Sequence, residues 1–346
     1  MTINEQLRDS LTGVGWPSGR EPDFLDQGQR PGRVSIMYGA IAEVIWFPDD
    51  TVSRTTRFTL RRNLNLRPVA GDWVSIADDE LVSVGPRWTS LSRPDPNEKD
   101  IQVLAANVDT VMIVLPIDRG LNTKMLERLT VMAWDSGAEP VVLLTKADGA
   151  DDPPACVREA AASAPGVDIL VTSAVDGTGL PELRQRMGPG TTTTMLGASG
   201  VGKTSLLNAL EGRREAVREV RRDGQGRHTT TTRKLYRLRS GGVLLDLPGI
   251  RSLDLHASDE AVADTFTDIS ALARDCRFRD CAHDGDAGCA VEAAVAEGVL
   301  SRRRLRSWHT IRREMEYMSR RNDPAAMAEK RLEWKRMTKA TRRRGR

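Results

Sequence analysis

The eight residues Gly197-Ala198-Ser199-Gly200-Val201-Gly202-Lys203-Thr204 fit the pattern G-x-x-x-x-G-K-[ST], and no other feature narrows the fold of this 346-residue chain as much. In such a loop the glycines let the backbone turn its amides inward around phosphate. Lys203 sets an ammonium against the β and γ oxygens, and Thr204 offers a hydroxyl to Mg²⁺. The geometry needs a strand before it and a helix after it. Thr193-Thr194-Met195-Leu196 reads as the strand, and Ser205-Leu206-Leu207-Asn208-Ala209-Leu210 as the helix. The loop alone does not choose between adenine and guanine.

Thr145-Lys146-Ala147-Asp148 makes that choice. It follows the apolar run Pro140-Val141-Val142-Leu143-Leu144, so Asp148 is expected at a strand end. A carboxylate there accepts from both N1–H and the exocyclic amine of guanine, donors that adenine does not present together. A buried carboxylate left unpaired costs roughly 1–3 kcal/mol, enough to reject ATP about tenfold or better. Ser173 and Ala174, after the strand Ile169-Leu170-Val171, supply a second wall for the base. Asp246-Leu247-Pro248-Gly249 follows another apolar strand; Asp246 is expected to hold Mg²⁺ through water, and the Gly249 amide to sense the γ-phosphate of GTP. The base-reading stretch precedes the phosphate loop, so the site is circularly permuted, and the Asp246–Gly249 segment runs directly into the C-terminal part.

Catalysis is less legible. Position 250 is Ile and cannot orient water as a glutamine would. The Gly-rich threonine run 224–232 suits a mobile loop, and His228 within it is expected to position the attacking water.

Four segments are expected along the chain. Residues 1–32, rich in Gly, Pro and charge, read as a flexible arm. Residues 33–92 hold short β-rich runs between turn signals, as in a five-stranded barrel of the oligonucleotide-binding (OB) kind, with an SH3-like barrel as the alternative. Residues 98–255 alternate strands and helices, an α/β doubly wound domain. Residues 256–346 are helical around a cysteine cluster and end in a basic tail. The fold class is thus a circularly permuted α/β P-loop GTPase domain with an N-terminal OB-like β-barrel and a C-terminal helical zinc-binding domain.

Cys276, Cys281, His283 and Cys289 are spaced C-x₄-C-x-H-x₅-C. Three thiolates and an imidazole are the ligand set of a closed tetrahedral Zn²⁺ site with no position left for water, so its role is structural. Cys156 stands apart as an ordinary thiol. The net charge is only +3, but residues 301–346 hold 17 Lys/Arg against five Asp/Glu, a +12 block on a −9 body. With Trp308, Tyr317 and Trp334 beside it, this block suits RNA contact. No run of roughly 18 apolar residues and no signal peptide is present, so a cytoplasmic protein without a membrane partner, and a monomer, is expected.

Taken together, Gly197–Ser205, Gly226-Arg227-His228-Thr229-Thr230-Thr231, Asp246–Gly249, the permuted order and the Cys-Cys-His-Cys cluster resemble the RsgA (YjeQ) family of small ribosomal subunit biogenesis GTPases. Val69–Val74 and Gln102–Asp109 are similar too, and the resemblance spans about residues 33–320. It implies a late assembly factor of the 30S subunit that grips 16S rRNA, hydrolyses GTP slowly alone and faster on the subunit, and leaves after hydrolysis. It also implies a catalytic loop histidine at His228. Two departures stand out. Thr145 replaces the usual Asn, which is expected to weaken a bond to the guanine N7 side and to the phosphate loop. The middle of the barrel, Arg54 to Asn63, is unusually long and basic.

Overall fold

The computed structural model describes residues 4–94, 101–212, 233–247 and 257–322. It divides into two compact units: Met1–Ser92 with Val103–Leu253, and Arg93–Gln102 with Asp254–Arg346.

The first unit opens with helix α1 (Glu5–Thr12), a correction to the flexible arm expected over 1–32. The Asn4 side chain accepts from the Leu7 amide at 2.8 Å and caps the helix. Leu7 and Leu11, one turn apart, bury together with Val14 and Trp16 against Ile45, Phe47, Trp73, Leu235 and Val243. Trp16 meets Trp73 edge-on, with centroids 4.7 Å apart. Two leucines at i, i+4 are too short a period to stand out among glycines and charges. Each large apolar side chain buried this way contributes about 1.5–3 kcal/mol, ample to order the segment.

Strands β1 (Arg30–Tyr38), β2 (Ile41–Trp46), β3 (Arg54–Thr59), β4 (Trp73–Ala77) and β5 (Glu80–Val84) form the antiparallel OB-like barrel. β1 lies between β2 and β4, with Gly32 opposite both Trp46 and Val74. A Cβ at Gly32 would come within 2.7 Å of Val44 and 2.9 Å of Ile76, so only glycine fits where the strand turns over the interior. Val34, Val44, Trp46, Phe58, Val74 and Ile76 fill that interior. β6 (Ser90–Pro94) and β7 (Ile101–Ala106) pair as a separate two-stranded sheet.

The nucleotide-binding layers follow: β8 (Thr110–Pro116), α2 (Thr123–Asp135), β9 (Glu139–Thr145), α3 (Pro153–Ser163), β10 (Asp168–Val171), α4 (Leu180–Arg186), β11 (Thr192–Leu196), α5 (Lys203–Glu211), β12 (Lys234–Arg237) and β13 (Val243–Asp246). Strands β10-β9-β8-β11-β13 are parallel, and β12 is antiparallel to β13. Their near-continuous apolar runs, such as Val111–Leu115 and Val141–Leu144, are buried, as expected for strands covered on both faces. β12 also pairs with β1 at Lys234 and Ile36, so the barrel and the parallel layers share one sheet.

A buried arginine reinforces that junction. Arg33 of β1 donates to the carbonyls of Val14 (2.5 Å), Asn107 (3.0 Å) and Gly71 (3.3 Å) and lies over the Trp73 ring. Burial pulls its pKa down to about 10, with Asp109 and Asp72 opposing, so it remains a cation at pH 7. Asp109 accepts from the Thr192 amide at 2.7 Å, at the start of the strand that leads to the phosphate loop. Gly71 takes φ +93°, and a Cβ there would lie 2.2 Å from the Ala106 carbonyl, which explains the glycine of the Val69–Val74 run.

The second unit contains α6 (Asp259–Thr265), α7 (Thr267–Ala273), the cysteine loop, α8 (Ala290–Ala296) and α9 (Arg302–Asn322). Arg304 of α9 is buried; it pairs with Asp268 at 3.0 Å and 3.1 Å, donates to the Thr265 carbonyl at 2.7 Å and covers Phe266. Among the described residues no helix is long and apolar enough to cross a membrane.

Candidate functional site

The phosphate loop joins β11 to α5, as its glycines require. Gly200 and Gly202 take φ of +82° and +105°, and a Cβ on Gly197 would lie 2.5 Å from the Val114 carbonyl of β8. Ala198, Ser199, Gly200, Thr204 and Ser205 are exposed, whereas Val201 is buried beneath them. The Lys203 ammonium bends back over the loop and donates to the carbonyls of Gly197 (2.6 Å) and Ala198 (2.9 Å). Burial holds its pKa below the usual lysine value, and Asp246 opposes the shift. Asp246, at the end of β13, is in turn raised by burial against the pull of Lys203. A half-buried ammonium held by carbonyl dipoles, with exposed hydroxyls beside it, fits an incoming polyphosphate and its Mg²⁺.

The residues expected to read the base stand at the ends of β9 and β10. Thr145 is buried, and its hydroxyl donates to the Val201 carbonyl at 2.6 Å, so it forms a direct link to the phosphate loop. Lys146 takes φ +58° and pairs with Asp118 at 3.1 Å. Ala147 begins a short 3₁₀ turn, with its amide on the Thr172 carbonyl. Asp148 on that turn is exposed, and its Oδ1 accepts from the Ser173 hydroxyl at 2.7 Å. Ser173 is itself buried and accepts from the amides of Val175 and Asp176, leaving half-buried Ala174 between them. Thr145, Lys146, Ala147, Asp148, Ser173 and Ala174 are thus gathered at the carboxyl ends of adjacent parallel strands, where open α/β sheets bind ligands. His228 and Gly249 lie outside the described residues.

In the second unit the ligand atoms of Cys276, Cys281, His283 and Cys289 all lie within 4.8 Å of one another. His283 Nδ1 is 3.6 Å from Cys276 Sγ and 3.5 Å from Cys289 Sγ, and those two sulfurs are 4.0 Å apart. Tetrahedral Zn²⁺, with Zn–S near 2.3 Å and Zn–N near 2.0 Å, has ligand edges of about 3.5–3.8 Å, so the group fits that ion. Burial, with His309 adding repulsion, keeps the His283 imidazole below its usual pKa and hence neutral. Cys281 is pushed up to about 12 by desolvation and by the thiols and Asp286 around it, a cost that a dication removes. Cys289 also caps α8, accepting from the Glu292 amide.

Residues 84–256, half of the chain, match the RsgA GTPase family. The small ribosomal subunit biogenesis GTPase RsgA of Streptomyces coelicolor is 37% identical over 350 residues, covering 97% of this chain and 94% of that one. The chain belongs to the RsgA family. It is therefore a GTPase, and the fold agrees: YjeQ from Thermotoga maritima superimposes with TM-score 0.65 at 28% identity, covering 83% of this chain and 98% of its own. The circularly permuted GTPase YloQ does so with TM-score 0.62 at 25% identity, covering 84% and 96%. Asp118, the ion-pair partner of Lys146, was not singled out by sequence reasoning. Its signal was its place two residues beyond the apolar strand β8, the same strand-end logic that located Asp148.

Proposed function

We propose that this chain binds the 30S ribosomal subunit through 16S rRNA, acts in its late maturation, and leaves after a hydrolysis of GTP that the subunit stimulates. As an RsgA-family member it is a GTPase of ribosome biogenesis; relatives in Streptomyces and Methanosarcina carry the name small ribosomal subunit biogenesis GTPase. The observation that carries the reading is the convergence of Lys203, Asp246, Asp148 and the Thr145–Val201 bond on one end of the permuted sheet. Guanine is selected by Asp148, with Ser173 and Ala174 as the opposite wall. The loop 197–205 and Lys203 hold the phosphates, while Thr204 directly and Asp246 through water would hold Mg²⁺, which would supply charge neutralisation to the phosphates. His228 orients the attacking water, and the Gly249 amide meets the γ-phosphate. Zn²⁺ on Cys276, Cys281, His283 and Cys289 staples the second unit, and the barrel and basic α9 face rRNA. The protein acts as a cytoplasmic monomer.

GTP turnover with and without purified 30S subunits, using 50S subunits and ATP as controls, tests this reading. Stimulation by 30S alone is expected, lost in His228→Ala. Equal turnover in all conditions despite tight GTP binding would instead favour a switch that only changes its affinity for RNA.

A further inference from the structure

Thr145 reaches from the base-reading strand to the phosphate loop. A threonine hydroxyl carries a single hydrogen. Here it points at a carbonyl: Val201 O lies at 2.6 Å, and the next acceptor, Leu115 O on β8, at 3.4 Å. Both are acceptors, and Thr145 is only 1% exposed, so no rotamer change swings the hydroxyl out without breaking a buried bond. The packing leaves little slack, because Thr145 Oγ1 would be 3.6 Å from a Cβ on Gly202.

Guanine presents two hydrogen-bonding edges. Asp148 suits the N1–H and amine edge, since a carboxylate only accepts. The other edge carries N7, an acceptor, and a protein reads it by donating. With its one hydrogen committed to Val201, Thr145 has nothing to donate. We infer that Thr145 is a positioning residue that clamps the phosphate loop to the base-reading strand while leaving the guanine N7 unread, so that this chain selects its base through the N1 and amine edge. The inference rests on the guanine-nucleotide reading above. An asparagine at the same position would differ in kind, because its amide has two hydrogens, one for Val201 and one for N7.

Equilibrium binding of GTP, 7-deaza-GTP, inosine triphosphate and ATP to the full chain separates the possibilities. GTP and 7-deaza-GTP are expected to bind within about twofold of each other, and Thr145→Asn is expected to create a preference for GTP of roughly fivefold, the worth of one hydrogen bond. Thr145→Val should weaken both nucleotides equally by about three- to tenfold, and Thr145→Ser should restore them. A fivefold preference of the unaltered protein for GTP over 7-deaza-GTP would overturn the unread N7. Unchanged binding by Thr145→Val, with its fold intact by circular dichroism, would overturn the clamp. Failure of the guanine reading itself has another signature, equal affinity for GTP, inosine triphosphate and ATP.

Discussion

Asp148 lies on the turn that follows β9 and Asp246 ends β13, and in the proposed reading the same side chain would serve opposite ends of one nucleotide because of where each strand stops. Asp148 is exposed and oriented by the Ser173 hydroxyl, so under the proposed function its selectivity would arise when a base covers it and desolvates the carboxylate. Asp148→Ala is expected to weaken GTP at least tenfold in a calorimetric titration while leaving weak ATP binding unchanged. Asp246 is already half-buried beside Lys203, and desolvation raises its pKa despite that cation. If Asp246 holds Mg²⁺ as proposed, protons and Mg²⁺ would compete for the carboxylate, and a raised pKa would move the competition to higher pH. Mg²⁺-dependent GTP affinity should therefore begin to fall on acidification above the ordinary carboxylate range. That limb should vanish in Asp246→Asn, as a fluorescence titration from pH 8 to pH 5 would show.

Among the elements, α1 departs furthest from expectation. Its apolar face has two residues, Leu7 and Leu11, yet it closes a cluster that includes Trp16 just beyond it, Trp73 from the barrel and Val243 from β13. Leu11→Ala is expected to cost about 2–4 kcal/mol in urea unfolding, through lost transfer energy and the cavity left behind, whereas Asn4→Ala should cost about 1 kcal/mol for the missing cap. The strands and helices around the phosphate loop were legible because long apolar runs bounded by glycine have few alternatives. β5 and the extent of β3 were not, since Arg54–Thr59 is held by pairing to β2 rather than by its own apolar pattern.

At the scale of the whole chain, the candidate metal cluster and the basic C-terminus belong to one unit and the candidate nucleotide residues to the other. Chelation of zinc, or Cys289→Ala, is thus expected to abolish the folding of the second unit, seen as lost helical circular dichroism, with GTP affinity retained within about twofold. Arg304 of α9 is buried against Asp268 and Phe266, so a deletion that tests RNA contact should begin after the helix. Residues 323–346 hold nine Lys/Arg and three Asp/Glu. Their removal should weaken 30S binding and make its salt dependence shallower; an unchanged slope would exclude phosphate contacts by this tail.

The sequence by itself determined the permuted order, the phosphate loop, the carboxylates at strand ends and the cluster of three cysteines and a histidine that could hold a metal ion, because these rest on residue types at characteristic places in the chain. Only the tertiary structure decided what long-range packing controls. It ordered the N-terminal segment, joined the barrel to the parallel sheet through β1 and β12, brought Asp118 to Lys146, and turned the Thr145 hydroxyl onto Val201. Those contacts link residues as distant in sequence as Ile36 and Lys234, and local chemistry carries no record of which distant backbone will supply the partner.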